Sequence, residues 1–170
     1  FGVGRWHAAG TNDGIGSNWI NANGTITAAS AIVTVTDANN IVASTHSIAI
    51  VTTDGTTVTA TANASTTTST DTNSPTFAIS AGNNNATAAN IATCLNANGK
   101  LSATAEGAVV TITQATTGHG GNTQITLTDP DAAGLSKTNF TGGSGEWATQ
   151  GGDIYTDASS SYNVTLDTGL

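Results

Sequence analysis

Methionine is absent from the 170 residues, cysteine occurs once, proline twice, and lysine plus arginine total three. Each scarcity excludes something. A single cysteine, Cys94, permits no intrachain disulfide and no cysteine-built zinc site. Arg5, Lys100 and Lys137 stand against eleven Asp plus Glu, a net charge of −8, so there is no basic footprint to neutralise nucleic-acid phosphates or anionic lipid. No long apolar run offers a membrane-spanning helix. The missing methionine and the Phe1 start read as a processed form or a fragment, with no signal peptide to interpret.

What is present is 34 Thr, 20 Gly, 17 Asn and 14 Ser. Leu, Ile, Val and Phe together number 30 of 170, few enough to suggest disorder, but disorder also wants high charge or many prolines, and charged residues are only 8%. The remaining pattern, Thr alternating with Val, Ile and Ala, suits a pleated sheet. It predicts a mainly β protein, sandwich-like and antiparallel, with a thin core and one short helix.

Along the chain, residues 1–28 hold six glycines and two tryptophans, Trp6 and Trp19, without periodicity. Such an arm has little core of its own and suits packing on a neighbour, where Trp anchors well. "AIVTVTDANNIVAS" (Ala31–Ser44) alternates, breaks at "DANN" and resumes at Ile41, the signal of a hairpin. "SIAIVTTDGTTVTATA" repeats the pattern around Asp54-Gly55. Asn63–Ser74 has no apolar residue beyond Ala64 and predicts an exposed loop before a short strand at "PTFAIS". "NATAANIATCLNANG" places Ala88, Ile91 and Leu95 on one helical stripe, with Asn98-Gly99 as a stop and Cys94 as a small packed filler. "KLSATA", "GAVVTITQA" and "NTQITLTD" are three further period-2 runs, and the tail from Ser144 adds scattered aromatics with candidate edge strands at "GDIYTD" and "YNVTLD". The division expected is an N-terminal arm and hairpin over 1–45, a β-rich module with one helix over 46–143, and a C-terminal arm over 144–170.

The segment "TTGHGGN" poses the sharpest chemical question. Gly118, Gly120 and Gly121 lie between two alternating runs, which predicts a hairpin loop using positive φ. A phosphate cradle would need a following helix and a spacing that is not there. His119 has no second histidine at ligand spacing, since His7 and His46 lie in other segments, and "GGSGE" at Gly142–Glu146 lacks the final glycine of a nucleophile elbow. Asp129 and Asp131 in "DPDAAG" faintly resemble the opening of a calcium loop but lack its other ligands, and a β-turn explains them better. Five N-x-[ST] sequons occur, at Asn23, Asn63, Asn85, Asn139 and Asn163, about the number this composition yields by chance. Lys100 or Lys137 in an isopeptide crosslink would need a buried acid that the sequence does not reveal.

From Ser47 to Gly143 the succession "VTTDGTTVTATA", "FAIS", "TAANIATCLNANG", "VTITQATTG", "GNTQITLTD", "NFTGG" resembles a Thr/Asn-rich β module that recurs in structural proteins of tailed bacteriophages, marine phages especially. The resemblance implies a non-enzymatic role in a virion, as capsid decoration or a tail or fibre component, and carries no catalytic residues. On this reading the chain forms homo-oligomers or packs on other virion subunits, without cofactor, nucleic acid or membrane, and sits in a virion or on an extracellular surface. Trp6, Trp19, Trp147, Tyr155 and Tyr162 are the expected interface residues. A filament or adhesin subunit of a microbial surface is the alternative, and a carbohydrate-binding module, with aromatics stacking on glycan, is a third.

Overall fold

A computed structural model of the chain describes residues 26–130 and 133–144. The described residues form two four-stranded sheets and one α-helix, the mainly β architecture that the alternation predicts. The first sheet has the order β5-β6-β1-β8, from β1 (Ser30–Val35), β5 (Leu101–Glu106), β6 (Val109–Gln114) and β8 (Leu135–Lys137). The second has the order β4-β3-β2-β7, from β2 (Ser47–Val51), β3 (Thr57–Asn63), β4 (Thr76–Ala78) and β7 (Ile125–Thr128). All pairs are antiparallel except β3–β4, which the long exposed connection after Asn63 makes parallel.

Alternation sets the two faces. Val33 and Val35 of β1, Val110 and Ile112 of β6, Ile48 and Ile50 of β2, and Val58, Ala60 and Ala62 of β3 point into the interior, and the threonines between them point out. Helix α1 (Asn84–Asn96) packs against β5 and β4, the end strands of the two sheets, while β7 and β8 touch at the opposite side. Ala88, Ile91 and Leu95 are buried as the helical stripe predicts. Asn83 caps the N-terminus by accepting from the Ala86 N–H, and Gly99 takes the positive φ that ends the segment. Cys94 lies in the core, where burial pushes its thiol pKa up to about 12 and leaves it inert. Eight of the 24 residues of the core cluster are alanine, so the core is thin in volume as well as in number.

Two expectations are corrected. The hairpin over Ala31–Ser44 does not form. Both edges of β1 are taken by β6 and β8, so Ile41–Ser44 has no place beside β1. Asp37 instead caps a 3-10 turn (Ala38–Asn40), Ile41 drops into the core, and the chain crosses to the second sheet. The strand β1 thus belongs to the body of the protein rather than to an arm. The glycine segment after β6 is likewise no hairpin, because β6 and β7 lie in different sheets; it is a crossover.

The asparagine excess has a structural use that composition alone did not indicate. Asn96, at the end of α1, donates to the Ala103 carbonyl and accepts the Ala103 N–H at 2.7 Å, pairing with the outer edge of β5 as a neighbouring strand would. Asn84 does the same for the β1 turn, donating to the Thr36 carbonyl and accepting from the Ala38 N–H. Asn90 donates to the Ala78 carbonyl on β4, and Asn139 accepts from the Ile125 N–H on β7. Amides that copy the backbone's donor and acceptor close sheet edges that would otherwise invite another chain. Asn96→Ala is therefore expected to cost about 1–3 kcal/mol by leaving the Ala103 donor and acceptor unpaired. Thermal melting checks the cost, and light scattering on warming should reveal association through the uncovered β5 edge.

Candidate interface at the root of the two arms

The crossover "TTGHGGN" is built by close approach. Gly118 adopts φ 120°, which side-chain-bearing residues rarely take, and a 3-10 turn follows over His119–Gly121. A Cβ on Gly121 would meet Ala29 Cβ and Thr53 Oγ1 at 3.2 Å each, so this glycine lets the loop lie against β1 and the β2–β3 turn. Beneath it the buried Gln114 ties the sheets together: its Oε1 accepts the Thr53 N–H at 3.1 Å and its Nε2 donates to the Val51 carbonyl at 3.0 Å. The amides of Gly118, Gly121, Asn122 and Thr123 donate to chain carbonyls, so the loop does not gather its N–H groups around an anion. His119 is half-buried, with Nδ1 3.1 Å from the Asn122 amide nitrogen.

The loop holds the two points where the described body stops. Gly118 N–H donates to the Thr27 carbonyl at 2.9 Å. Asn122 clamps Gly143 on both sides, donating to its carbonyl at 2.9 Å and accepting its N–H at 2.8 Å. Thr27 and Ser144 form an antiparallel bridge with reciprocal bonds of 3.0 and 3.2 Å, reinforced by their hydroxyls at 2.8 Å and by Thr27 Oγ1 on the Gly142 carbonyl. Residues 1–25 and 145–170 consequently join the body side by side, at one place. A Cβ on Gly143 would overlap the Gly118 carbonyl oxygen, a backbone atom that cannot swing aside. Gly143→Ala is expected to destabilise the body by roughly 1–3 kcal/mol, the range for forcing extra volume into a packed site. Chemical denaturation of the purified chain checks it, and an unchanged midpoint would refute the clamp.

Two further pairs of ionisable groups lie elsewhere. At the opposite end of the β2–β7 pair, His46 Nε2 lies 2.8 Å from Asp129 Oδ1, both side chains 4% exposed. Val42 N–H donates to His46 Nδ1 at 3.0 Å, which puts the ring proton on Nε2, facing the carboxylate. The other oxygen, Asp129 Oδ2, accepts the N–H groups of Gly134 (3.1 Å) and Leu135 (2.8 Å). Burial alone would raise the Asp129 pKa, but the Leu135 N–H, His46 and the Gly134 N–H outweigh it and hold the carboxyl below its ordinary value. Three donors on one carboxylate make Asp129 a loop-closing anchor; Asp131 lies outside the described residues, and among those described no three metal-ligating side chains cluster.

Near the β2–β3 turn, Lys100 Nζ lies 2.8 Å from Asp54 Oδ2 and 2.7 Å from Thr56 Oγ1. Lys100, with Thr52 and the Thr56 N–H, holds the Asp54 carboxyl well below the usual carboxylate range. The pair is exposed, so it pins a turn and adds little stability. Lys137 Nζ bonds the Asn139 side-chain oxygen at the surface. Among the described residues neither lysine has the buried acid that a crosslink needs.

The five aromatic residues expected at an interface, Trp6, Trp19, Trp147, Tyr155 and Tyr162, lie outside the described residues, as do the candidate strands "GDIYTD" and "YNVTLD". Sequence reasoning missed the His46–Asp129 pair, Gln114 and the Asn122 clamp, because each joins segments remote along the chain. Of the sequons, Asn63 and Asn139 have their amides engaged in the fold. No protein-family model, no curated protein and no solved structure matches this chain.

Proposed function

We propose that the chain is a non-enzymatic structural subunit of a tailed-bacteriophage virion, a capsid decoration or tail or fibre component that acts by self-assembly. One observation carries this reading. The body closes its own core with two phenylalanines, Phe77 and Phe140, while six of the chain's eight aromatic residues lie in the two segments that leave it together beside the Thr27–Ser144 bridge. Aromatic side chains are suited to anchoring on a partner. The ionisable groups described above support it too, since His46 and Asp129 close a loop and Asp54 and Lys100 pin a turn.

The test is density-gradient fractionation of particles from the native source, with mass spectrometry for this chain and negative-stain imaging of the fraction that carries it. Co-sedimentation with DNA-filled particles is the expected outcome. Recovery in DNA-free fibres would overturn the virion assignment in favour of an extracellular filament or adhesin subunit.

A further inference from the structure

Among the described residues, three large aliphatic side chains are exposed: Ile26 (36%), Ile32 (39%) and Val42 (54%). Two of them share one surface. Ala29, Ala31 and Val33 point inward, so Ile26, Ala28, Ser30, Ile32 and Thr34 form the outward column of β1 and its N-terminal extension. The register places Thr113 beside Ser30, Thr111 beside Ile32 and Val109 beside Thr34, with Ser136 on the other flank. This column carries no charge, spans roughly 20 Å from Ile26 to Ile32, and begins where residues 1–25 join the body.

We propose that this face of the β5-β6-β1-β8 sheet receives residues 1–25 of a second copy of the chain, with Trp6 and Trp19 seated along the Ile26–Ile32 column. The inference rests on the self-assembly reading and names its contact surface. Reach favours a second copy: 25 residues extend up to about 80 Å, whereas a body of this size has a radius of gyration of about 13 Å. At Ile26 the chain lies at the end of the column away from Ile32, so reaching its own face would require an immediate reversal. Charge selects between the two arms. Residues 1–25 carry Arg5 and Asp13, net zero, whereas residues 145–170 carry Glu146, Asp153, Asp157 and Asp167, net −4, and the remaining 119 residues are also net −4. The neutral arm docks on an acidic body without the repulsion the other would meet. Area suffices as well, because two tryptophans hide roughly 300–500 Å², and reciprocal arms with the faces beneath them pass the ~1,000 Å² of a specific interface.

The full chain supplies its own reporter, because all three tryptophans lie in the arms and none in the body. In a Trp147→Phe background, emission comes from Trp6 and Trp19 alone. Light-scattering mass and emission wavelength are measured together over a dilution series, for this protein and for its Ile32→Lys and Thr111→Lys variants. The expected result is a dimer or larger assembly with blue-shifted emission, which on dilution turns red as the mass falls to monomer. Either lysine should shift that transition to at least tenfold higher concentration while the melting of the isolated monomer stays unchanged. Assembly that neither lysine weakens would overturn the docking face and leave self-assembly standing. A monomer at every concentration would overturn both, with blue emission then showing that the arm lies on its own body.

Discussion

Asp129→Ala is expected to lower the free energy of unfolding by about 3–5 kcal/mol, because three buried donors lose a charged acceptor and each costs about 1–3 kcal/mol when left unpaired. The carboxylate ties His46, just before β2, to the β7–β8 connection, and its loss leaves His46 Nε2, Gly134 N–H and Leu135 N–H without their acceptor. Small domains have roughly 5–15 kcal/mol in total, so the variant should be marginal at best at 37 °C. The acid response carries the diagnostic sign. The folded carboxyl lies below its ordinary value, so between the two values the unfolded chain binds more protons than the folded one, and stability rises with pH there. The contribution is complete above about pH 4 and is lost as pH falls through the lower folded value. Wild-type melting should therefore drop on acidification below about pH 4, and Asp129→Ala should show a flatter acid limb from a lower starting point. Equal acid slopes in the two proteins would show that Asp129 is not the group responsible.

How much of this was legible beforehand depends on the distance between partners. The β2–β3 hairpin was readable because its turn, Asp54-Gly55, and both alternating strands lie within seventeen residues, Ser47–Asn63. Helix α1 was readable because its stripe and its Asn98-Gly99 stop are local. The same local pattern misassigned Ala31–Ser44: alternation marks β1 as a strand, but the choice of partner belongs to β6 and β8, more than seventy residues on. The glycine segment failed likewise, since two flanking strands do not reveal that they belong to different sheets. His46 and Asp129 are 83 residues apart and match no spacing rule. The asparagine excess was visible as composition, yet each clamp is a tertiary contact, so counting residues could not separate Asn96 and Asn122 from loop asparagines. The aromatic loading of the arms was legible in full, and it is the feature on which the assembly reading rests.

Phe77→Ala is expected to cost a further class of stability, about 3–5 kcal/mol from the core itself. Phe77 is fully buried on β4, pairs with Ala62 of β3, and lies where that strand meets α1. Its neighbourhood explains why the cost should fall at the high end. The buried residues of the adjoining strand and helix include the alanines Ala60, Ala62, Ala88 and Ala92, which cannot extend into the space a deleted ring leaves. Cavities that cannot collapse cost the most. For a body of about 120 residues this corresponds to a drop of roughly 10–20 °C in melting temperature, read by circular dichroism. Phe77→Leu, which restores most of the volume, should recover more than half of it. The same variant separates core from docking face: if the tryptophans anchor on a neighbour's sheet, assembly of Phe77→Leu below its melting temperature should match wild type, because its defect lies inside the core and not on the outward column of β1.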